Sequence, residues 1–591
     1  RGRRVYCVRA SKLAGTAFYE SRQPLRFIER NLDVAGARFE GSVVVIDGLD
    51  ELCLVLSAGE SVAGFYERLV DDALSYSDCK LVVTSRPNYV QPDAARAHGG
   101  IVVELQPLDD DKARRFVELL EEHSGPGCGG AERWYLDQRI RRRHRGDVFR
   151  VPLVLYITVA LNIGKTSSEG EFFDRVFAEL CSRAYGDGFT QEFAGKFKPR
   201  ELARAFAVEM RRRSDKALDA STAAGIIERF GAGSLNEDEL GKLKRGFGVT
   251  FFYAPRTGGP DGCPAPEFMH RSFVDFLAAE QIYLDVSSAV TRAREDDGAA
   301  RMELWEKLDY LLGWSELGGE VLEFFAYKVR SGGIAGDEIR ERLLGWLVET
   351  YLPAGLVYRS GRETDENTRD KAGRMMLALW GLLRSSSEGP VMGSLDSRQK
   401  SKVLDELQRA SGQSMARLDF SGEDLGGVRL AGARFQRASF SRATFAGSVL
   451  DECEFAGCIM NRADFGGSHV MSTGFAGSTM AGTSFRGAVL EDVRFGGATM
   501  RVVDFSGATL VRVSLAGSLL SEPADLKLDD AVASKIGDVY DARPADPGPR
   551  RGDRLVLESR ARDPRTLSSP GAPDDADPWR RRRHLARAVF E

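Results

Sequence analysis

The chain has 591 residues, with 82 lysines and arginines against 87 aspartates and glutamates, and a formal net charge of −5. This balance excludes a general attraction to nucleic acid, and the 43% apolar content is ordinary for a globular protein. The eight cysteines form no CxxC pair and the six histidines do not cluster near them, so we predict neither a zinc site nor a disulfide framework. The longest apolar run, 151–163, is too short to cross a bilayer, and no signal peptide is visible. We expect a cytoplasmic protein of several domains.

The first distinctive segment is a β-branched run at 43–46, after a predicted strand at 4–9 and a predicted helix at 24–32. Such a run is typical of a strand buried on both faces. The run ends in DGLDE, which places Asp47, Asp50 and Glu51 at the strand's carboxyl end, where ligands bind in open α/β sheets. Carboxylates there suit the Mg²⁺ of a nucleoside triphosphate, and a further carboxylate can orient the attacking water. The alternative is a buried strand followed by an acidic turn.

A second apolar run, at 81–83, repeats this design thirty-odd residues later. It is followed by two hydroxyls, Thr84 and Ser85, and by Arg86. An arginine at the tip of a neighbouring strand can contact a γ-phosphate. The alternative is a solvated arginine at a strand end, which the order of the two strands makes less convincing.

A nucleotide-binding core of this kind also needs a glycine-rich loop with GK[ST], which cradles the phosphates. No such loop precedes Asp47. The GKT at 164–166 has Val159 in place of the first glycine, follows a helical pattern and lies on the wrong side of the acidic strand. Because the chain begins at Arg1, we expect an N-terminally truncated fragment that binds nucleotide weakly or not at all.

The two strand ends together resemble the Walker B and sensor-1 segments of the NACHT family, signal-transduction NTPases of the STAND class. The resemblance implies that Asp47 is the Mg²⁺-linked acid and that Asp50 and Glu51 position the water. It implies that Arg86 senses the γ-phosphate, with the hydroxyls of Thr84 and Ser85 beside the nucleotide.

Further segments extend the resemblance. VPLVL at 151–155 resembles the family's proline-leucine motif, so Pro152 is expected against the nucleotide base; a structural proline in a first helical turn is the alternative. Two helices and a hairpin lead into EFMHRSFVDFLAAE, which resembles the family's winged-helix motif. This implies that His270 contacts the ADP β-phosphate and holds a closed state; the alternative is a histidine that only caps a helix. The basic run at 139–145 is better explained as a solvated helix end than as a nucleic-acid patch.

The C-terminal part carries a strict five-residue period. From Phe420 to Leu520 every fifth residue is Phe, Leu, Met or Val, and from Val428 the position two residues earlier is always small or valine. A period of five fits neither a helix nor a flat strand and indicates a solenoid. The pattern resembles the pentapeptide-repeat β-helix, which has four five-residue sides per coil. Ten acids and ten arginines in 416–520 leave no net charge, which argues against DNA mimicry and for a protein-binding surface.

The predicted fold is therefore multidomain, with an incomplete α/β P-loop NTPase core, helical and winged-helix domains and a right-handed quadrilateral β-helix. The predicted boundaries are 1–125 for the core, 126–199 for a small helical domain, 200–285 for the winged helix, 286–412 for a helical connector, 413–525 for the solenoid and 526–591 for a largely disordered tail.

The predicted function is an ATP/ADP-dependent, Mg²⁺-dependent signalling switch with a slow ATPase in the full-length protein. The solenoid would act as sensor or protein-binding surface, and the activated form would homo-oligomerise. We expect no membrane partner and no nucleic-acid partner. The alternative is a non-enzymatic scaffold, in which the NTPase core is degenerate and the solenoid alone binds a protein.

Overall fold

The structure is a computed structural model, and the described residues are 3–10, 21–31, 38–49, 62–85, 100–103, 108–124, 151–160, 168–184, 198–213, 218–231, 235–241, 243–244, 268, 270–292, 306–308, 310–312, 317–352, 366–386, 389–411, 415, 418–520, 526–529, 540–544 and 555–559. The chain divides into two compact units. The first is Arg1–Ser288 with Leu317–Gly333, and the second is Ala289–Glu316 with Ile334–Glu591.

A three-stranded parallel sheet opens the first unit. Its strands are β1 (Val5–Arg9), β2 (Val43–Asp47) and β3 (Lys80–Val83), with β2 in the middle. The register pairs Ile46 of β2 with both Val8 and Val83, so the carboxyl ends of the three strands meet at one edge. The predicted strands at 43–46 and 81–83 are thus confirmed as parallel neighbours.

One face of this sheet is packed and the other is not. Val44 and Ile46 are buried in a cluster with helices α1 (Pro24–Asn31) and α2 (Val62–Leu74). On the opposite face Val5 and Val82 are 64% and 46% exposed. The expectation of a strand buried on both faces therefore holds for one face only in the described residues. Residues 101–103 form no strand.

Helices make up most of the other described residues of the first unit. They are α3 (Asp110–Ser124), α4 (Pro152–Ala160), α5 (Glu169–Ala184), α6 (Pro199–Arg213), α7 (Ala220–Gly231), α8 (Arg271–Arg292, as far as residue 288) and α9 (Gly319–Ser331). Phe173 of α5 contacts Phe273 of α8 and Phe324 of α9, at ring-centroid distances of 5.2 and 5.3 Å. These contacts explain why α9, which the sequence places in the connector, groups with the first unit.

A buried ion cluster joins the same helices. Lys328 of α9 is 7% exposed, and its Nζ lies 3.2 Å from a carboxylate oxygen of Asp174 and 3.2 Å from one of Glu280. Arg200 of α6 pairs with both carboxylates. Burial opposes ionisation of Asp174, but hydrogen bonding to Arg200 and the charge of Lys328 outweigh it, so the pKa of Asp174 lies below its usual value. Removing one member would leave the cluster with an uncompensated buried charge.

The second unit begins with helices. They are α10 (Gly336–Trp346), continued by a π-helical turn at Leu347–Tyr351, then α11 (Glu366–Ser386), a 3₁₀ turn at Met392–Ser394 and α12 (Ser397–Ala410). Asp396 and Gln399 form a capping box at the start of α12. These helices match the helical character predicted for the connector.

A β-solenoid of about five coils follows. Each residue pairs in parallel with the residue 20 positions later, so one coil contains four five-residue sides. Strands of two or three residues are assigned along these sides: β4 (Arg429–Ala431), β5 (Val449–Asp451), β6 (His469–Met471), β7 (Thr479–Ala481), β8 (Val489–Glu491), β9 (Thr499–Arg501), β10 (Val503–Asp504), β11 (Thr509–Val511) and β12 (Leu519–Leu520). The four-sided coil predicted from the five-residue period is confirmed.

The four faces are numbered here by their ladders of paired residues. Face 1 contains Asp419, Ser439, Ile459, Thr479, Thr499 and Leu519; face 2 contains Asp424, Thr444, Asp464, Ser484 and Asp504; face 3 contains Arg429, Val449, His469, Val489 and Thr509; face 4 contains Arg434, Glu454, Gly474, Arg494 and Ser514. A corner is named by the two faces that it joins.

The interior is filled by the periodic apolar residues. Phenylalanines stack along the axis, as in the pair Phe445 and Phe465, whose ring centroids are 4.8 Å apart at an interplanar angle of 6°. Rings of faces 2 and 4 also meet edge to face, as in Phe465 and Phe475 at 5.7 Å. The small residues two positions earlier are buried beside them, including Ala443 and Ser468. Each buried ring contributes on the order of 2 kcal/mol.

Every corner turns through a left-handed residue. Each fifth residue from Gly422 to Gly517 has a positive φ, and eight of these residues are not glycine. The left-handed conformation costs a residue with a Cβ roughly 1–2 kcal/mol. The eight are Arg437, Arg442, Glu452, Arg462, Ser472, Asp492, Val502 and Arg512.

Helices α11 and α12 cap the first coil. Glu423 occupies a small-residue position, equivalent to Ala443 one coil later, and is fully buried. Its carboxylate accepts hydrogen bonds from Arg384 at 2.6 Å and from the backbone N–H groups of Val391 at 3.1 Å and Met392 at 3.0 Å. A buried carboxylate needs such partners, so Glu423 fixes the cap to the coil.

The described part of the tail differs from the expected disorder. Strand β13 (Leu526–Lys527) extends face 2 in parallel, and β15 (Leu555–Ser559) pairs antiparallel with β12 of face 1. Strand β14 (Tyr540–Pro544) pairs with β15. The unpaired edge of the last coil offers N–H and C=O groups that recruit these segments despite their polar, proline-rich composition.

Glu423→Gln tests the cap. The amide would present an N–H₂ donor toward N–H donors and would leave Arg384 without its buried counter-charge, so we expect a loss of roughly 3–5 kcal/mol in the free energy of unfolding. The control is Asp419→Asn, which removes the 61%-exposed partner of Arg384 and is expected to cost less than about 1 kcal/mol. Urea unfolding followed by circular dichroism measures both. Equal losses in the two variants would refute this role of Glu423.

Two interior cysteines provide a second test. Burial raises the pKa of the Cys453 and Cys458 thiols to about 12, and the thiolate is the form that reacts with alkylating reagents. At mildly alkaline pH we expect iodoacetamide to label the exposed Cys7 and to leave Cys453 and Cys458 unmodified until urea unfolds the solenoid. Peptide mass spectrometry measures the labelling. Alkylation of all three cysteines at similar rates without urea would contradict the buried placement.

Candidate functional site

The first candidate site is the carboxyl edge of the parallel sheet. The Thr84 hydroxyl donates a 2.7 Å hydrogen bond to a carboxylate oxygen of Asp47 and accepts one of 2.8 Å from the backbone N–H of Gly48. The N–H of Leu49 donates to the Thr84 carbonyl at 2.8 Å. These bonds lock the turn after β2 onto the residue that follows β3. Asp47 is consequently oriented while its side chain is exposed at the edge.

This arrangement offers oxygen atoms of the kind that Mg²⁺ prefers. Asp47 and Thr84 are the residues that could hold such an ion, since a carboxylate and a hydroxyl lie in direct contact there. Asp50, Glu51 and Arg86 lie outside the described residues, so their roles stay predictions. Among the residues that the structure does describe, no group of three or more His, Cys, Asp or Glu side chains is placed to hold a metal ion.

The other predicted nucleotide contacts lie at helix starts. Pro152 is the first residue of α4, as expected for either interpretation of this proline. His270 precedes α8; its Nδ1 accepts a 3.2 Å hydrogen bond from the N–H of Ser272, and its carbonyl accepts one from Phe273. His270 therefore occupies the N-cap position of α8, with Nδ1 as the hydrogen-bond acceptor. The winged-helix hairpin before it falls almost entirely outside the described residues.

The second candidate site is the solenoid exterior. The sequence of 416–520 contains equal numbers of acidic residues and arginines, but the fold places many of them on different sides of the solenoid. Asp451, Glu452, Glu491 and Asp492 all lie on the corner between faces 3 and 4. Arg512, on the same corner, pairs with Glu491 at 2.8 Å and with Asp492 at 2.7 Å. Counting charges along the chain missed this separation; aligning the repeats at a period of 20 residues would have shown it.

The helices in the described ranges include none with the length and apolarity to cross a membrane.

Comparison with known proteins identifies the repeat. A family model for pentapeptide repeats matches residues 429–467 and 475–507, in eight copies. No curated protein matches the chain. The match is confined to the solenoid, so the resemblance of the first unit to NACHT NTPases stays a prediction.

Several solved structures are similar over the same region. They include the pentapeptide-repeat protein Rfr23 of the cyanobacterium Cyanothece 51142, at 15% identity over 20% of this chain and 84% of that chain, with a TM-score of 0.15. HetL of Nostoc sp. strain PCC 7120, a pentapeptide-repeat protein involved in heterocyst differentiation regulation, shows 16% identity over 17% of this chain and 57% of that chain, with a TM-score of 0.12. The plasmid-mediated fluoroquinolone resistance protein QnrB1 shows 18% identity over 21% and 85%, also at 0.12. At these values the likenesses say nothing of function. The periodic sequence, the 20-residue ladders and the family match together show that this chain carries a C-terminal pentapeptide-repeat β-solenoid domain.

Proposed function

We propose that this chain belongs to a nucleotide-dependent signalling switch of the NACHT/STAND type, in which the α/β unit binds Mg²⁺ with ATP or ADP and the solenoid binds a protein partner. The observation that carries the nucleotide part is the Asp47–Thr84 contact at the carboxyl edge of adjacent parallel strands. Ligands of open α/β sheets bind at this edge. ATP hydrolysis would be slow and would reset the switch.

The proposal that the solenoid binds a protein partner is supported by the rigidity of the solenoid. Its interior is filled, its ladders are continuous and helices α11 and α12 close its first coil through Glu423. A stiff repeat array presents a fixed exterior, which suits recognition of a protein surface. The scaffold alternative is favoured by the family match, which covers the solenoid and not the α/β unit. In that alternative the core binds no nucleotide.

Asp47→Asn tests the nucleotide part. The protein expressed from its complete gene is assayed for binding of ATP by equilibrium dialysis, with Mg²⁺ and with EDTA. We expect the substitution to weaken binding about tenfold or more with Mg²⁺, and to change it little with EDTA, because the carboxylate acts on the ion. Asp78→Asn is the control, since Asp78 is an exposed carboxylate of the same unit that pairs with Arg3. Wild-type protein that binds neither ATP nor ADP would refute the nucleotide-switch proposal and leave the scaffold alternative.

His270 separates a nucleotide contact from a helix cap. The nucleotide that co-purifies with the protein is identified for wild type, His270→Ala and His270→Asn. Asparagine is a good N-cap but lacks the imidazole. If the imidazole holds ADP, as the resemblance implies, both variants lose bound ADP. Retention of ADP by His270→Asn, with loss in His270→Ala, would show that the histidine serves the helix and not the nucleotide.

A further inference from the structure

From the second coil on, one side of the solenoid carries positive charge and no acid. Face 1 and its two bordering corners, from the second coil on, consist of residues 436–442, 456–462, 476–482, 496–502 and 516–520. These segments contain four arginines, Arg437, Arg442, Arg462 and Arg501, and neither aspartate nor glutamate. We call this set of segments the basic face. Its corner between faces 1 and 2 lies diagonally across from the acidic corner between faces 3 and 4.

The basic face also exposes apolar side chains. Ile459 is 46% exposed and Val502 is 43% exposed, and they are the large apolar residues of the described solenoid with the greatest exposure. Ile459 lies on face 1, and Val502 lies on the corner between faces 1 and 2 that also carries Arg442 and Arg462. The corner between faces 4 and 1 is lined by Ala and Gly from the third coil on. Isolated apolar residues on a surface need no explanation, but apolar side chains next to arginines are typical of a protein-binding surface.

The arginines of the basic face have no carboxylate partner within the described residues. Arg442 and Arg462 occupy equivalent positions in successive coils, about one strand spacing apart, so two like charges are stacked at roughly 5 Å between their backbones. The stem of Arg462 lies over Gly482, where a Cβ would approach its Cγ to 3.6 Å. The two arginines therefore repel each other, and folding of the solenoid does not require this repulsion.

The same residues occupy strained backbone positions. Arg442, Arg462 and Val502 are three of the five left-handed residues on the corner between faces 1 and 2, whereas all five on the next corner are glycine. Glycine at these positions would relieve the strain. Side chains kept at the expense of stability point to a role in binding.

We propose that the basic face binds an acidic protein segment that also carries aliphatic side chains. The arginines would pair with its carboxylates, and Ile459 and Val502 would contact its aliphatic groups. The inference rests on the proposed function only in taking the solenoid as a protein-binding surface. A nucleic acid is the less suitable occupant, because the basic face offers aliphatic and not aromatic side chains for stacking.

The test uses a fluorescein-labelled peptide of alternating Glu and Leu residues, titrated with the full chain and followed by anisotropy. The double variant Arg442→Gly/Arg462→Gly is expected to bind this peptide about tenfold or more weakly. The same variant is expected to have a higher unfolding temperature than wild type, because it removes strain and repulsion. A merely structural role of the arginines would not combine weaker binding with higher stability.

Two control variants separate charge, strain and position. Ser472→Gly relieves the same strain on the corner between faces 3 and 4 without changing charge, and is expected to bind the peptide like wild type. Arg486→Ala removes an exposed arginine from the corner between faces 2 and 3, and is also expected to bind like wild type. Loss of binding in either control to the extent seen in the double variant would overturn the assignment to the basic face.

Two further outcomes would overturn the proposal. One is failure of the wild-type chain to bind the peptide. The other is tighter binding of a single-stranded oligonucleotide that is lost in the double variant, which would make the basic face a nucleic-acid site. Neither outcome bears on ATP binding by the α/β unit, which is measured separately, so failure here is distinguishable from failure of the nucleotide switch.

Discussion

The stacking of one coil on the next is the constraint on which the second unit depends. Each coil satisfies its backbone hydrogen bonds with the coils above and below, and each inward ring finds its neighbour one strand spacing along the axis. The outer edges of the first and last coils have no further coil with which to form these hydrogen bonds and ring contacts. The chain closes the first with helices α11 and α12, joined through the buried Glu423, and extends the last with strands β13 and β15.

Local repetition explains why the solenoid could be predicted from the sequence. Its side chains repeat the same environment at every fifth residue, so the pattern is visible without knowing any distant contact. Glu423 breaks the small-residue pattern, and its meaning depends on Arg384 and Val391, which are outside the repeat. The tail strands are not visible in the sequence for a related reason, because they are specified by the unpaired edge of the last coil and not by their own composition.

In the first unit, local sequence patterns explain a smaller part of the structure. The strands β2 and β3 follow from short apolar runs, and their order along the chain suggests that they are neighbours. The hydrogen bond from Thr84 to Asp47 at their ends is seen only in the structure. Which sheet face is covered depends on how helices α1 and α2 pack against the strands. The grouping of α9 with α5 and α8 depends on contacts more than a hundred residues apart, such as Phe173 with Phe324. A helical pattern shows that α9 exists but not where its apolar side packs.

Backbone strain at the corners connects the solenoid fold to its proposed role in binding. Glycine is the least costly residue at every left-handed corner position, and the corner between faces 2 and 3 uses it throughout. Elsewhere the chain keeps arginines, acids and a valine at such positions. On the corner between faces 3 and 4 Arg512 pairs with Glu491 and Asp492, so part of the strain there is offset by ion pairing. On the corner between faces 1 and 2, Arg442 and Arg462 are stacked as like charges and have no carboxylate partner among the described residues. Stability does not explain that choice, and this is why we assign Arg442 and Arg462 to the proposed contact with an acidic partner segment.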